Sequence, residues 1–255
     1  MKFLVLKKTY VGLCLLIILM MCLLTTTYYG TPVASIYFGN MPRLIPIYNV
    51  STDDKRVAIT FDSAWGADKT SKIVQTLKDY KVNGTFFLCG FWVEEYPDMV
   101  KLIDENGIEI GTHSNTHPDL TKLSEKDIEN ELKTSCDLIT NITGKDVQLF
   151  RPPFGAYNNT LIEIAEKQNL KTIQWDVDTL DWKGLSGVQI CERVMNKVQN
   201  GSIILCHNNS DHILDALPLI LERLLNAGYE VVSVGDLIYW DNYYIDHAGK
   251  QIKNS

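Results

Sequence analysis

The sequence lacks several patterns that mark common protein classes. No cluster of Lys and Arg is interleaved with aromatic residues, and the net charge is −7, which argues against a nucleic-acid partner. No glycine-rich phosphate loop follows the first predicted strand, which argues against a nucleotide-binding doubly wound fold. No internal repeat and no CxxC pair occur, so we interpret the cysteines outside the N-terminal apolar segment as buried free thiols.

Charge is also missing from a long N-terminal stretch, since no Lys, Arg, Asp or Glu occurs between Lys8 and Arg43. As a helix, residues 9–29 would be about 31 Å long, close to the hydrocarbon thickness of a bilayer. Three lysines precede this segment, which predicts a cytoplasmic N-terminus and an exported domain. We expect residues 1–30 to be an uncleaved single-pass signal anchor in the cell membrane. The alternative is a cleaved signal peptide and a secreted protein.

Beyond this stretch, short apolar runs alternate with amphipathic segments over residues 55–240. Residues 56–61, RVAITF, are typical of a buried strand, and residues 68–80 place apolar side chains on one helical face. Further strands are predicted at 85–88, 108–111, 147–151, 172–176, 202–206 and 230–234. This alternation indicates an α/β domain with a parallel sheet, preceded by a tether at 31–54 and followed by a tail at 241–255.

Reactive side chains lie at the carboxyl ends of five predicted strands. They are Asp62, His113, Arg151, Asp178 and His207. In a β/α barrel the carboxyl ends of all strands open on one face, where such enzymes hold their active sites. This placement favours a barrel over an open sheet and predicts one reactive face.

Each of these residues also has a structural alternative. His113 and His117 are spaced so that two imidazoles can bind one divalent ion, yet such a pair is often only solvated. Arg151 on its double-proline turn would serve equally as a loop corner, and the aspartates would serve as helix caps. His207, at the end of an apolar strand, would simply be buried.

The order of five motifs nevertheless resembles the polysaccharide deacetylase family, which carries the NodB homology domain and is similar to carbohydrate esterase family 4. The motifs are TFDS at 60–63, HSNTH at 113–117, RPPFG at 151–155, DTLDW at 178–182 and LCH at 205–207. The resemblance implies a distorted (β/α) barrel and metal-dependent removal of acetyl groups from N-acetylated sugars. The wording TFDxxWG further resembles a bacterial subgroup that is often spore-related.

The resemblance also implies roles for four catalytic residues. Asp62 corresponds to the general base, and Arg151 orients it. His207 corresponds to the general acid, and Asp181 pairs with it. An arginine keeps a carboxylate ionised and an aspartate raises the pKa of a histidine, so these residue types suit amide hydrolysis.

The same resemblance implies that His113 and His117 bind a divalent metal ion, with zinc expected first and cobalt, manganese or nickel as alternatives. The third protein ligand in the family is a second aspartate, and Ser63 occupies that position here. A neutral hydroxyl is a poor zinc ligand. Asp62 itself, a water or substrate oxygen, or Asp68 would have to complete the site, and each predicts weaker metal affinity.

For the substrate, the resemblance implies an acetyl pocket lined by Phe154, Trp182 and Leu205. Four tryptophans are candidate sugar-stacking surfaces, although burial is favoured for Trp175. They are Trp65, Trp92, Trp175 and Trp182. The stacking partner would be an N-acetylated glycan such as peptidoglycan.

We therefore expect an exported, membrane-tethered hydrolase that deacetylates peptidoglycan or a related glycan. An alternative, motivated by Ser63, is a non-catalytic or weakly active glycan-binding protein of the cell wall or spore. A second alternative is a hydrolase of small non-sugar amides or cyclic ureides, against which the expected export argues.

Overall fold

The computed structural model describes residues 15–21 and 43–254. Residues 15–21 are helical, and no helix among the described residues is long and apolar enough to cross a membrane. Most of the predicted anchor at 9–29 lies outside these residues. A separate compact unit comprises Leu44–Ser255. Four free cysteines in it are buried or half-buried, as predicted: Cys89, Cys136, Cys191 and Cys206.

A parallel sheet of eight strands forms the centre of this unit. Numbered along the chain, the strands of the described residues are β1 (Asn49–Val50), β2 (Arg56–Ser63), β3 (Thr85–Leu88), β4 (Glu109–Thr112), β5 (Leu149–Phe150), β6 (Lys171–Thr172), β7 (Val177–Asp178), β8 (Ile203–His207), β9 (Glu230–Val232), β10 (Tyr243–Ile245) and β11 (Lys250–Lys253). The eight-stranded sheet contains β2 to β9. The order along the sheet is β6-β5-β4-β3-β2-β8-β7, and β9 pairs with β2. β2 pairs with β3, β8 and β9, so it carries Asp62 into the interior of the sheet.

The sheet curls because its two outer strands follow each other in the chain. Only residues 173–176 separate β6 from β7. In a flat sheet with strands about 4.8 Å apart, the outer two of seven would be about 29 Å apart. The link between them reaches at most about 18 Å when fully extended. The sheet therefore curves into the distorted (β/α) barrel, and this prediction is confirmed.

The same link corrects the strand expected at 172–176. The structure instead has the short strands β6 at 171–172 and β7 at 177–178, and residues 173–176 cross between the two edges of the sheet. Ile173 donates its backbone N–H to the Phe150 carbonyl oxygen and forms a bridge with Ile47. A continuous strand is excluded because the chain has to change neighbours at this point.

Helices cover the outer face of the curved sheet. They are α1 (Thr70–Asp79), α2 (Gly90–Glu95), α3 (Pro97–Glu105), α4 (Glu125–Thr143), α5 (Asn159–Lys167), α6 (Gly187–Met195) and α7 (Ile213–Asn226). A short helix, α8 (Val234–Leu237), packs instead in a second apolar cluster with Ala58 and Phe87. Along β2, Val57, Ile59 and Phe61 belong to the large apolar cluster that includes helix side chains. Because strand side chains alternate, Thr60 and Asp62 point to the opposite, inner face.

The folded unit extends beyond residues 55–240 at both ends. β1, from the segment expected to be a tether, pairs in parallel with β11, from the segment expected to be a tail. β10 completes this second sheet by pairing antiparallel with β11. A bridge between Asn49 and Ser202 joins the two sheets. These terminal segments are folded because each supplies the other's backbone hydrogen-bond partners.

Candidate active site

A cavity of about 570 Å³ opens at the carboxyl ends of the strands. Most of the residues singled out from the sequence line it: Asp62, His113, His117, Phe154, Trp182, Leu205 and His207. Arg151 and Asp181 are buried and contact Asp62 and His207, respectively. The parallel sheet thus brings together side chains that are up to 145 positions apart.

Asp62 and Arg151 form a buried ion pair at the floor of the cavity. Asp62 Oδ1 accepts a hydrogen bond of 2.8 Å from Arg151 Nη1, which also donates to Thr60 Oγ at 2.7 Å. Burial alone would raise the pKa of Asp62, but the charge of Arg151, followed by those of the nearby histidines, holds it below 3.8. Asp62 is therefore a carboxylate at neutral pH, as a general base requires.

His113 and His117 lie beside Asp62. His113 Nδ1 is 2.7 Å from the Arg151 carbonyl oxygen, and because that oxygen only accepts, Nδ1 carries the proton. His113 Nε2 lies 3.5 Å from Asp62 Oδ2, and the ring centroids of the two histidines are 4.9 Å apart. Burial lowers the pKa of His113, and burial together with His113 lowers the pKa of His117 to about 4. Both imidazoles are neutral near pH 7, the form that binds metal ions.

Ser63 occupies the place where the resemblance implies a third metal ligand. It is fully buried, and its hydroxyl has no hydrogen-bond partner among residues 15–21 and 43–254. Within the same residues, no group of three or more His, Cys, Asp or Glu side chains is arranged to hold a metal ion. Asp68 is exposed and lies outside the cavity lining. The donors present fit a divalent ion in their chemistry, as two neutral imidazoles with Asp62 Oδ2 nearby.

His207 and Asp181 form a second pair, in which Asp181 is buried and His207 is half-buried. Asp181 Oδ1 is 2.7 Å from His207 Nδ1, and Asp181 Oδ2 accepts the backbone N–H of His207 at 2.8 Å. Burial alone would lower the pKa of His207, but the hydrogen bond and charge of Asp181, together with Asp62 and Asp178, raise it above 6.5. A histidine that holds its proton at the edge of a cavity is suited to be a general acid.

Exposed aromatic rings surround the mouth of the cavity. Trp65, Phe154 and Trp182 are 60%, 69% and 61% exposed. The rings of Trp65 and Phe154 meet His117 edge-on, with centroids 5.1 Å and 4.7 Å from its ring. Phe154 adopts φ +59°, which turns the chain sharply within the RPPFG motif. This apolar rim suits the face of a sugar ring.

Two other tryptophans differ from the rim residues. Trp92 is fully buried and donates its indole N–H to the Gly66 carbonyl oxygen, so its expected sugar-stacking role is wrong. Trp175 is half-buried and lines the cavity. Asn209 and Ser210 also line it and were not anticipated, although their position directly after the LCH motif is the signal that would have found them.

Comparison with known proteins gives a consistent result. The sequence model of the family described as "Polysaccharide deacetylase" matches residues 49–173. The Bacillus subtilis peptidoglycan-N-acetylmuramic acid deacetylase PdaC is 36% identical over 188 residues, 74% of this chain and 40% of that protein. A Bacillus cereus peptidoglycan-N-acetylglucosamine deacetylase is 35% identical over 182 residues, 70% of this chain and 66% of that protein. The chain thus spans less than two thirds of the length of these curated relatives.

Solved structures agree in fold. BA3943 from Bacillus anthracis, described as a CE4 family pseudoenzyme, superposes with a TM-score of 0.74 at 32% identity, covering 82% of this chain and 73% of that one. A mutant of BA3943 with restored enzymatic activity gives a TM-score of 0.73 at 35% identity, covering 80% and 72%. Both active and inactive proteins are therefore similar to this chain.

Proposed function

The chain belongs to the polysaccharide deacetylase family, and from this membership we propose that it removes N-acetyl groups from peptidoglycan or a related N-acetylated glycan. The observation that carries the proposal is that two hydrogen-bonded pairs, Asp62 with Arg151 and His207 with Asp181, meet at one cavity. The relatives described as peptidoglycan deacetylases support the substrate class.

The chain's own residues supply both proton transfers. The Asp62 carboxylate takes a proton from the attacking water, and Arg151 fixes the direction in which Asp62 faces. Water adds to the amide carbonyl carbon, the C–N bond breaks, and acetate leaves the sugar amine. His207 protonates that amine as it departs, and Asp181 keeps the imidazole charged and oriented for this step.

His113 and His117 would hold the divalent ion, with Asp62 Oδ2 next to them. We propose zinc, and cobalt, manganese or nickel as substitutes. When bound, such an ion polarises the amide carbonyl and lowers the pKa of water. Because the Ser63 hydroxyl is neutral, we propose that affinity for the ion is lower than in a site with two histidines and an aspartate.

We also propose that the protein is exported and tethered to the membrane by residues 9–29. The support is the apolar composition of that segment and the three lysines before it. The TFDxxWG motif, which resembles an often spore-related subgroup, supports a role in sporulation for the exported protein. Attachment would be tested by separating membrane and soluble fractions before and after a carbonate wash.

The decisive experiment measures acetate release from N-acetylglucosamine oligomers and from peptidoglycan. The purified protein is assayed after chelation and again after addition of zinc, cobalt or manganese, with Asp62→Asn as the inactive control. We expect release that the metal restores and the substitution abolishes. No release from folded protein with any of these metals would overturn the proposal.

A second candidate function is glycan binding without turnover. The buried Ser63 hydroxyl favours it, and so does the similarity to a protein described as a pseudoenzyme. In that case the protein binds N-acetylated oligomers, and Asp62→Asn leaves the dissociation constant unchanged while no acetate appears. Metal-dependent turnover would exclude this alternative.

A further inference from the structure

The loop between the two histidines has an unfavourable backbone conformation. Ser114 and His117 adopt φ +67° and +59°, in the left-handed region that residues other than glycine seldom occupy. Ser114 Oγ accepts the backbone N–H of His117 at 3.0 Å, which closes the loop on itself. Such a conformation persists only when surrounding groups hold it in place.

Glu131, in the first half of α4, supplies the outside support. Its Oε2 accepts the backbone N–H groups of Asn115 at 2.9 Å and Thr116 at 2.8 Å. Its Oε1 accepts the Thr116 hydroxyl at 2.7 Å. One carboxylate thus takes three hydrogen bonds from the two residues directly before His117, and hydrogen bonds to a charged acceptor are the stronger kind.

His113 does not depend on this support. Its Nδ1 is hydrogen bonded to the Arg151 carbonyl oxygen, and its backbone N–H donates to the Leu88 carbonyl oxygen at the end of the sheet. The ring of His117, in contrast, meets the rings of Trp65, His113 and Phe154 edge-on. The position of the second imidazole therefore follows from the loop that Glu131 holds.

We propose that Glu131 is a positioning residue that places His117 beside His113 and so sets how tightly the histidine pair holds a divalent cation. This inference rests on the proposed function. It matters more here than in a site with three strong ligands, because Ser63 leaves the two imidazoles to supply most of the binding. Groups that orient metal ligands typically contribute 10–100-fold to affinity.

The test uses Glu131→Gln, which keeps the side-chain length but removes one acceptor oxygen. Glu129→Gln, on an exposed position of the same helix, is the matched control for the charge change. The dissociation constants for zinc and cobalt are measured by calorimetry, and the Asn115 and Thr116 amides are followed by hydrogen exchange. We expect at least tenfold weaker binding and faster exchange in Glu131→Gln. The control should stay within twofold of wild type.

Thr116→Val serves as a milder variant if Glu131→Gln fails to fold, since it removes only the hydroxyl bond and should weaken binding about threefold. Equal dissociation constants for Glu131→Gln, its control and the wild type would overturn this inference alone. Wild-type protein that binds the cation yet releases no acetate would overturn the proposed hydrolysis and leave the inference standing. Wild-type protein that binds none of zinc, cobalt, manganese and nickel would overturn both.

Discussion

The two sides of the cavity floor differ in how completely their polar groups are paired. On the acid–base side, Asp181 uses both carboxylate oxygens on His207, and Asp62 accepts from Arg151. On the histidine side, His113 and His117 are neutral, and Ser63, at the position where the resemblance implies a third ligand, has a buried hydroxyl with no hydrogen-bond partner in the described part of the chain. The proposed proton transfers thus use pairs that the protein forms by itself, whereas the histidine side of the proposed mechanism also needs a bound divalent cation.

This comparison predicts that substitutions on the two sides change different quantities. Changes to His207 or Asp181 should reduce turnover and leave cation affinity nearly constant, whereas changes to Asp62, whose Oδ2 lies beside the histidine pair, should reduce both. Changes to the histidine side should act through affinity first. Turnover and cation affinity would be measured for each variant. A variant of His207 or Asp181 that changes both to the same extent would show that the two sides do not act separately.

The largest effect is expected for Asp62→Asn. Removing the carboxylate removes the general base, so acetate release should fall by about 10³-fold. The Asn side chain keeps one oxygen that can accept from Arg151, so the protein should remain folded, which thermal unfolding would check. Residual turnover within tenfold of wild type would show that another group takes the proton.

Ser63→Asp tests whether the histidine side lacks an anionic third ligand. A carboxylate in place of the orphaned hydroxyl adds an anionic ligand, so zinc affinity should rise roughly 100-fold, and acetate release at limiting zinc should rise with it. Calorimetric titration measures the first and the acetate assay the second. Ser63→Asn, of nearly the same size but uncharged, is the matched control. Equal affinities for the Asp and Asn variants would show that Ser63 does not face the cation.

Asp181→Asn should change the pH dependence of turnover. A general acid works only while protonated, so the rate falls as the pH rises through the pKa of His207, which lies above 6.5. Without the Asp181 charge that pKa drops, so the alkaline limb of kcat should move to lower pH, and kcat at pH 7 should fall about tenfold or more. An unmoved limb would mean that His207 is not the acid.

The same pair predicts a pH effect on stability. Because the folded-state pKa of His207 exceeds the unfolded value, protonated His207 stabilises the fold below pH 6.5. This contribution is lost as the pH rises through the folded-state pKa. In Asp181→Asn the free energy of unfolding should therefore vary less between pH 6 and pH 8 than in the wild type.

The sequence predicts the parts of the fold that depend on local pattern. Strand β2 was expected from its apolar run, and α4 begins and ends at residue types that commonly cap helices. Ser124 accepts the backbone N–H of Asp127, and Gly144 adopts φ +69°. The convergence of Asp62 and His207 was also predictable, because the carboxyl ends of parallel strands share one edge.

Features that depend on tertiary contacts were beyond the sequence pattern. The break between β6 and β7 follows from closure of the sheet, and the sequence of residues 172–176 gives no sign of it. Trp92 lies on the buried side of α2, although an indole ring would suit a sugar-binding surface equally well. Glu131 bonds residues 15 and 16 positions away and belongs to none of the five motifs. Spacing arguments cannot find such a contact.

The smallest effect concerns the rim, which belongs to neither side. Trp182 is 61% exposed beside the cavity, and Trp182→Ala should raise KM for N-acetylglucosamine oligomers about fivefold through the loss of one stacking surface. Trp240→Ala, which removes a 40% exposed tryptophan outside the cavity lining, is the matched control. Steady-state kinetics with short and long oligomers would measure the change. Because Trp182 neighbours Asp181 in the chain, a fall in kcat with unchanged KM would instead place Trp182 with the acid–base side, as a support for His207.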